Sequence, residues 1–368
     1  MSAVPPVDLR LQHQAIAEEI AQGFAAVFDK TAFILGPAVK EFEAAYAAFV
    51  GAQHCIGVAN GTDALELALR AAGADAEAEV LLPANTFIAT ALAVLRAGAR
   101  PVLVDCDPDF YLLDVEQAAA RVNEKTRFLM PVHLYGQMAP SEEVDALARA
   151  HGLTVIEDAA QAQGARRHGR AAGTCGLAAG TSFYPGKNLG AYGDAGAVTT
   201  DSDQMATKLR ALRNYGSEVK YRHPELGFNS RLDTLQAVVL NAKLPRLAGW
   251  NDARRAAARR YDELLADLPA VTPPRTLPGN EHVFHLYVVR VPNRDEVVRK
   301  LNADGIGAQI HYPIPIHLQV AFRGLGLGDG SFPVAEKAAR EILSLPMFPE
   351  ITADQQARVV ASLRRALG

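Results

Sequence analysis

Over its first two-thirds the chain alternates short apolar runs with segments of helical spacing, and this rhythm limits its fold more than any other feature. "HCIGVANG" (54–61) reads as a strand running into a turn, and "TDALELALRAAG" (62–73) as the helix that follows. "EVLLP" (79–83), "TFIATALAVLRAGA" (86–99), "RPVLVDCD" (100–107), "TRFLMPVHLYG" (126–136), "SEEVDALARAHG" (141–152) and "LTVIEDAAQAQGA" (153–165) continue the series. Strands that alternate with helices predict a mainly parallel sheet covered on both faces. Sites in such sheets lie beyond the carboxyl ends of the strands.

The texture changes after "DTLQAVVLNAKLPRLAGWNDARRAAARRYDELLADL" (233–268), which reads as a long, kinked helix. A proline-rich connection, "PAVTPPRTLPGN", leads into "HVFHLYVVRV", the helix "RDEVVRKLNADG" and "IGAQIHYPIPIH", a smaller α+β unit. A chain of 368 residues exceeds what one compact core usually holds. The expected division is a large domain with an N-terminal arm over 1–245 and a small C-terminal domain over 246–368.

Lys plus Arg number 37 against 41 Asp plus Glu, a net charge of −4 that gives no reason to expect nucleic acid or an anionic membrane as partner. The basic run "RRAAARR" (254–260) reads as a solvated helix face. Three scattered cysteines, in no CxxC pairing, form neither a disulfide framework nor a zinc site, so no metal is expected. With no secretory leader and no membrane-length apolar run, the expected location is the cytoplasm.

Six places carry possible chemistry. The strand-to-helix junction at Asn60, Gly61, Thr62 and Asp63 offers first-turn N–H groups to an anion; ordinary N-capping by Thr62 or Asp63 is the alternative. Asp158 follows the apolar run "LTVI" at a strand's carboxyl end, where a buried carboxylate needs a cation or several donors. It could pair a pyridinium nitrogen or cap the next helix, and Gln161, one turn on, could reach the same ligand. Lys187 lies in a tight Pro-Gly turn of "TSFYPGKNLG", where desolvation lowers an amine's pKa and makes it nucleophilic toward carbonyl compounds. The glycines of "GAYGDAGAV" place the backbone beside it close against something. Ser182 could donate to a phosphate, and Phe87 could lie on an aromatic ring or belong to the core. A phosphate cradle, a carboxylate for a pyridinium, a stacking aromatic and an imine-forming lysine are what pyridoxal 5'-phosphate requires.

The segments "ANGTDAL", "PANTFIAT", "PVHLYGQ", "VIEDAAQAQGA", "SFYPGKNLGAYGDAGAV", "GFNSRLD" and "IHYPIPIH" together resemble the DegT/DnrJ/EryC1/StrS family of sugar aminotransferases, from about residue 30 to the C-terminus. The resemblance implies the fold-type I (aspartate aminotransferase-like) α/β architecture. It also implies that Lys187 joins the cofactor through its amine and later moves the proton, and that Asp158 pairs the pyridine nitrogen. Gln161 would contact the ring hydroxyl, and Phe87 would stack on the ring. Gly61, Thr62, Asp63 and Ser182 would hold the phosphate. Asn229 of "GFNSRLD", otherwise a turn residue, would reach the phosphate in the neighbouring subunit, which implies a homodimer with shared active sites.

Substrates in that family are nucleotide-linked keto sugars, with L-glutamate as donor. The segment around Lys187 looks most like that of enzymes aminating C3 of a dTDP-linked 3-keto-6-deoxyhexose; amination of a 4-keto sugar is the alternative. Tyr184, Lys220, Tyr221, His311 and Tyr312 are candidates for sugar and diphosphate contacts, or structural loop residues. Two half-reactions through one site imply ping-pong kinetics. Relatives that dehydrate deoxysugars carry histidine in place of the lysine, which Lys187 opposes. A nicotinamide oxidoreductase would need GxGxxG, which "VANGTDAL" lacks. An inert regulatory homologue is opposed by the intact lysine, aspartate and phosphate set.

Overall fold

The computed structural model describes residues 3–368. Its main sheet is built from β1 (His54–Val58), β2 (Glu79–Pro83), β3 (Arg100–Val104), β4 (Thr126–Leu129) and β5 (Thr154–Asp158). After a two-residue hairpin, β6 (Arg166–Arg167) and β7 (Arg170–Ala171), it gains β8 (Ala178–Ser182) and β9 (Gly196–Thr200). The order is β1-β9-β8-β5-β4-β2-β3, and only β9 runs against the others.

Alternate residues of each strand enter different cores, as the two-residue period demands. On β2, Val80 and Leu82 join one cluster and Leu81 another; on β5, Ile156 and Val155 divide the same way. The first cluster is closed by α3 (Gly61–Ala71), α4 (Ile88–Arg96) and α7 (Asp203–Leu212); the other by α5 (Val115–Ala119) and α6 (Ser141–His151). Both faces are therefore covered.

The N-terminal arm is a helix, α1 (Leu9–Lys30), started by Asp8, whose side chain accepts the Arg10 N–H. Ile16, Ile20 and Val27 pack it against Val238 and Val239 of α8 (Thr234–Lys243), and α8 in turn packs on α2 (Pro37–Val50). Beyond α8 a single 3-10 turn, Leu244–Arg246, contains Pro245 and leads into α9 (Leu247–Leu265), so the α-helical ladder is interrupted at the proline. The "TRFLMPVHLYG" strand ends earlier than its apolar run, at Leu129, because Pro131 has no N–H to give the ladder.

A second core joins α9, α10 (Arg294–Ala303) and α12 (Ala353–Leu367) to the antiparallel pair β11 (Tyr287–Arg290) and β12 (Ile342–Leu345). The short β10 (Asn280–Glu281) pairs with β6. Two segments cross between cores. Val4 belongs to the second core, while Ile316, Phe322, Phe332 and Ala335, the last in α11 (Pro333–Glu341), pack into the first. Among the described residues no helix is long and apolar enough to cross a membrane.

Candidate active site

β5 ends on Asp158, which is buried. Its Oδ2 accepts the Thr90 hydroxyl at 2.8 Å and its Oδ1 the Ala160 N–H at 3.1 Å. Thr90 is itself 2.9 Å from the Thr86 hydroxyl. Burial pushes the Asp158 carboxyl above the usual carboxylate range, against those donors and the Lys187 charge. Lys187 sits in the turn after β8, its N–H donated to the Tyr184 carbonyl at 2.9 Å. Burial lowers its amine to about 8, with Asp158 pulling the other way. An amine at that value is a usable base and nucleophile near neutrality.

Asn60 starts α3: its backbone is extended and its side chain accepts the Asp63 N–H at 2.8 Å. The N–H groups of Gly61 and Thr62 have no place in the helical ladder and remain for an anion. This helix end lies hard against the sheet. A Cβ on Gly61 would come within 2.6 Å of Ser182 Cβ, and one on Gly196 within 2.4 Å of the Asn60 carbonyl carbon. These close approaches are what the glycines around the lysine segment permit. Ser182 Oγ accepts the Tyr184 N–H at 3.2 Å, which leaves its own hydrogen to point elsewhere.

Gln161 is fixed at both ends, Oε1 accepting the Tyr135 N–H at 2.7 Å and Nε2 donating to the Tyr312 hydroxyl at 2.9 Å. The Tyr312 and Phe87 rings lie 5.2 Å apart. Phe87 is 49 % exposed and faces the opening, so it is not a core residue. His311 bonds Ser344 Oγ through Nδ1 at 2.8 Å, and burial together with the Lys187 charge lowers it to about 4.

Gly61, Thr62, Phe87, Asp158, Gln161, Ser182, Tyr184, Lys187, His311 and Tyr312 line one cleft of about 690 Å³. Asp63 stands behind it, its carboxylate accepting from Ser230 Oγ at 2.8 Å and Arg96 Nη2 at 3.1 Å. Lys220, Tyr221 and Asn229 do not line this chain's cleft. Tyr221 is 82 % exposed with the Lys220 amine 5.0 Å from its ring, and Asn229 is exposed on a short bridge to Asn214. Sequence reasoning passed over Thr90, Arg96 and His285, which also line the cleft. "PANTFIAT" held the clue to Thr90, since helical spacing sets it near Phe87; His285 lies in a run that reads only as a strand.

The sequence profile of the DegT/DnrJ/EryC1/StrS aminotransferase family matches residues 14–364. The chain belongs to that family. This aminotransferase is 48 % identical over 98 % of its length to a Geobacillus stearothermophilus protein named pleiotropic regulatory protein, covering 97 % of it. It is 45 % identical to the dTDP-3-amino-3,4,6-trideoxy-alpha-D-glucose transaminase of Streptomyces venezuelae, over 98 % of this chain and 95 % of that one. The crystal structure of S. venezuelae DesV in complex with a ketimine intermediate superposes with a TM-score of 0.97 at 44 % identity, covering 99 % of this chain and 98 % of that one. The architecture is accordingly that of these aminotransferases, a mainly parallel sheet between helices, and this aminotransferase is an enzyme of the transaminase class.

Proposed function

We propose that this aminotransferase uses pyridoxal 5'-phosphate to move an amino group from L-glutamate to C3 of a dTDP-linked 3-keto-6-deoxyhexose, in amino- and deoxysugar biosynthesis. The observation that carries the reading is that Lys187, Asp158 and the open N-terminus of α3 face one cleft. The residues fit the cofactor. A buried carboxylate held by two donors but bonded to no cation suits a protonated pyridine nitrogen. A helix end with a side-chain-free floor at Gly61, beside Ser182, suits a phosphate.

When bound, the cofactor supplies an electron sink for negative charge at the donor's Cα. Asp158 keeps the ring-nitrogen proton in place, because loss of that proton would leave a buried carboxylate without a counter-charge. Lys187 Nζ, near neutrality by its pKa, takes the proton from the donor's Cα and returns it on the other side of the transfer. Gln161, fixed between Tyr135 and Tyr312, offers its amide to the ring hydroxyl, and Phe87 covers one ring face. Thr62 and Ser182 donate hydroxyls to the phosphate, and Asp63 holds Ser230 and Arg96 behind it.

The second subunit completes the site in this reading. Asn229, Lys220 and Tyr221 lie outside their own chain's cleft, and in a homodimer we assign them to the partner's: Asn229 to the phosphate, Lys220 and Tyr221 to the substrate. Tyr184, His311 and Tyr312 act on the sugar from within the chain. The position aminated follows the name of the S. venezuelae relative. Lys187 and Asp158 are both present, which favours catalysis over the regulatory role named for the G. stearothermophilus relative. We place the domain boundary at Pro245, with the enzyme in the cytoplasm. Borohydride reduction of the cofactor-loaded enzyme followed by peptide mapping tests the reading: the label belongs on Lys187, and a label on any other lysine refutes it.

A further inference from the structure

We propose that Tyr135 is a positioning residue for the sugar side of the cleft: its N–H sets the direction of the Gln161 amide and its hydroxyl holds the His311 carbonyl, so that Tyr312 is fixed from both ends. The proposal rests on the role given to His311 and Tyr312 above.

Tyr135 is the middle residue of a single 3-10 turn, Leu134–Gly136, and its backbone is left-handed, with φ of 61° and ψ of 0°. A glycine adopts that conformation freely; a tyrosine does so at a cost and holds it only where several contacts demand it together. Four contacts do. The Tyr135 N–H is donated to Gln161 Oε1 at 2.7 Å, and its carbonyl accepts the Leu286 N–H at 3.3 Å. Its hydroxyl donates to the His311 carbonyl, and its ring meets Tyr111 edge-on with 6.1 Å between centroids. A glycine in this turn would forfeit the side chain, whose one polar atom is that hydroxyl.

Tyr135 is 4 % exposed and does not line the cleft itself. It acts on residues that do. A backbone N–H only donates, so the Gln161 oxygen faces Tyr135 and the amide nitrogen faces Tyr312, whose hydroxyl accepts at 2.9 Å. The peptide unit leading into Tyr312 contains the His311 carbonyl, which the Tyr135 hydroxyl holds. The contacts therefore close a ring, from Tyr135 through Gln161 to the tip of Tyr312, and through its backbone to Tyr135 again. Burial raises the Tyr135 hydroxyl well above its ordinary range, with the Tyr312 and Tyr111 phenols adding to it, so it stays protonated and donating. Because Tyr312 accepts from Gln161, its own hydroxyl hydrogen points away from Gln161, and Tyr312 can offer it to an oxygen of the sugar.

Tyr135→Phe removes one oxygen and leaves the N–H, the ring and the turn. Hydrogen exchange of the cofactor-free protein, read by mass spectrometry, is expected to quicken in peptides spanning 309–316. The two half-reactions then divide. Cofactor retention and the glutamate half-reaction should stay within about twofold of wild type, whereas KM for the keto sugar that the wild type aminates should rise about tenfold. Loss of packing alone would instead lower the melting temperature and slow both halves together. Tyr312→Phe provides the second arm: if Tyr135 acts through Tyr312, adding Tyr135→Phe to it raises KM little further, whereas independent residues multiply their effects. Unchanged exchange or an unchanged KM in Tyr135→Phe, an equal slowing of both halves, or multiplied effects in the double variant overturns the proposal. Wild-type enzyme that aminates neither the dTDP-linked 3-keto nor the 4-keto sugar defeats the functional reading and this proposal together. Wild-type transfer with an unchanged KM in Tyr135→Phe defeats this proposal alone.

Discussion

Thr90 donates its hydroxyl to the Asp158 carboxylate at 2.8 Å, and Lys187 acts on that carboxylate through its charge rather than through a bond. Without cofactor, Asp158 is thus a buried carboxylate whose hydrogen bonds all come from neutral donors. Its pKa is raised on folding, so as pH rises the unfolded chain gives up this proton first and the cofactor-free protein loses stability through that window. Asp158→Asn removes the cost. The cofactor-free variant is expected to melt roughly 2 °C higher at neutral pH, by calorimetry, while single-turnover transfer from glutamate slows at least ~100-fold. An unchanged rate would remove Asp158 from the reaction.

Lys187 supplies the second expectation. Its pKa is depressed on folding to about 8, so the base is uncharged above that pH and protonated below it. The half-reaction that begins from the amine form should therefore rise with pH and level off above about 8 in stopped-flow traces. Lys187→Ala should abolish turnover and fixation of cofactor by borohydride.

Gly196 and Gly61 hold the α3 end against the sheet. Gly196→Ala drives a methyl into the Asn60 backbone at 2.4 Å, where nothing flexible can yield. The expected loss is about 1–3 kcal/mol of stability, with weaker retention of cofactor phosphate by equilibrium dialysis. Gly61→Ala meets the Ser182 side chain instead, at 2.6 Å, and should weaken phosphate binding more than stability.

The alternation of strands and helices was legible because each strand's apolar residues divide between two covered faces, as Val80, Leu81 and Leu82 do. The burial of the candidate residues at a strand end and a tight turn, Asp158 and Lys187, was legible for the same reason, because sequence neighbours fix it. α1 was not, because its four buried residues, Gln12, Ile16, Ile20 and Val27, are spread thinly over 22 positions. The place of His285 in the cleft was not, because its ring is paired with Asn188, 97 positions away, and no local pattern reports such a pairing. The crossing of Val4 and of residues 316–335 between cores is equally non-local.

Asn229 tests the shared site. It lies outside its own cleft, so Asn229→Ala should weaken cofactor retention only through the partner. In the proposed homodimer, mixing Asn229→Ala chains with Lys187→Ala chains should give heterodimers in which one site holds both residues, with activity up to about half that of wild type. No recovery after proven subunit exchange would count against sharing.

Amine transfer to C3 of the sugar is the reaction proposed for this cleft. It is tested most directly by giving the enzyme pyridoxal 5'-phosphate, nitrogen-15-labelled L-glutamate and, separately, the dTDP-linked 3-keto and 4-keto 6-deoxyhexoses, with label in the sugar read by mass spectrometry and NMR. The 3-keto sugar should take up label at C3 at least ~10-fold faster, a difference of roughly 1.4 kcal/mol in transition-state binding. Faster labelling of the 4-keto sugar would contradict the regiochemistry, and no label in either sugar would contradict the proposed reaction.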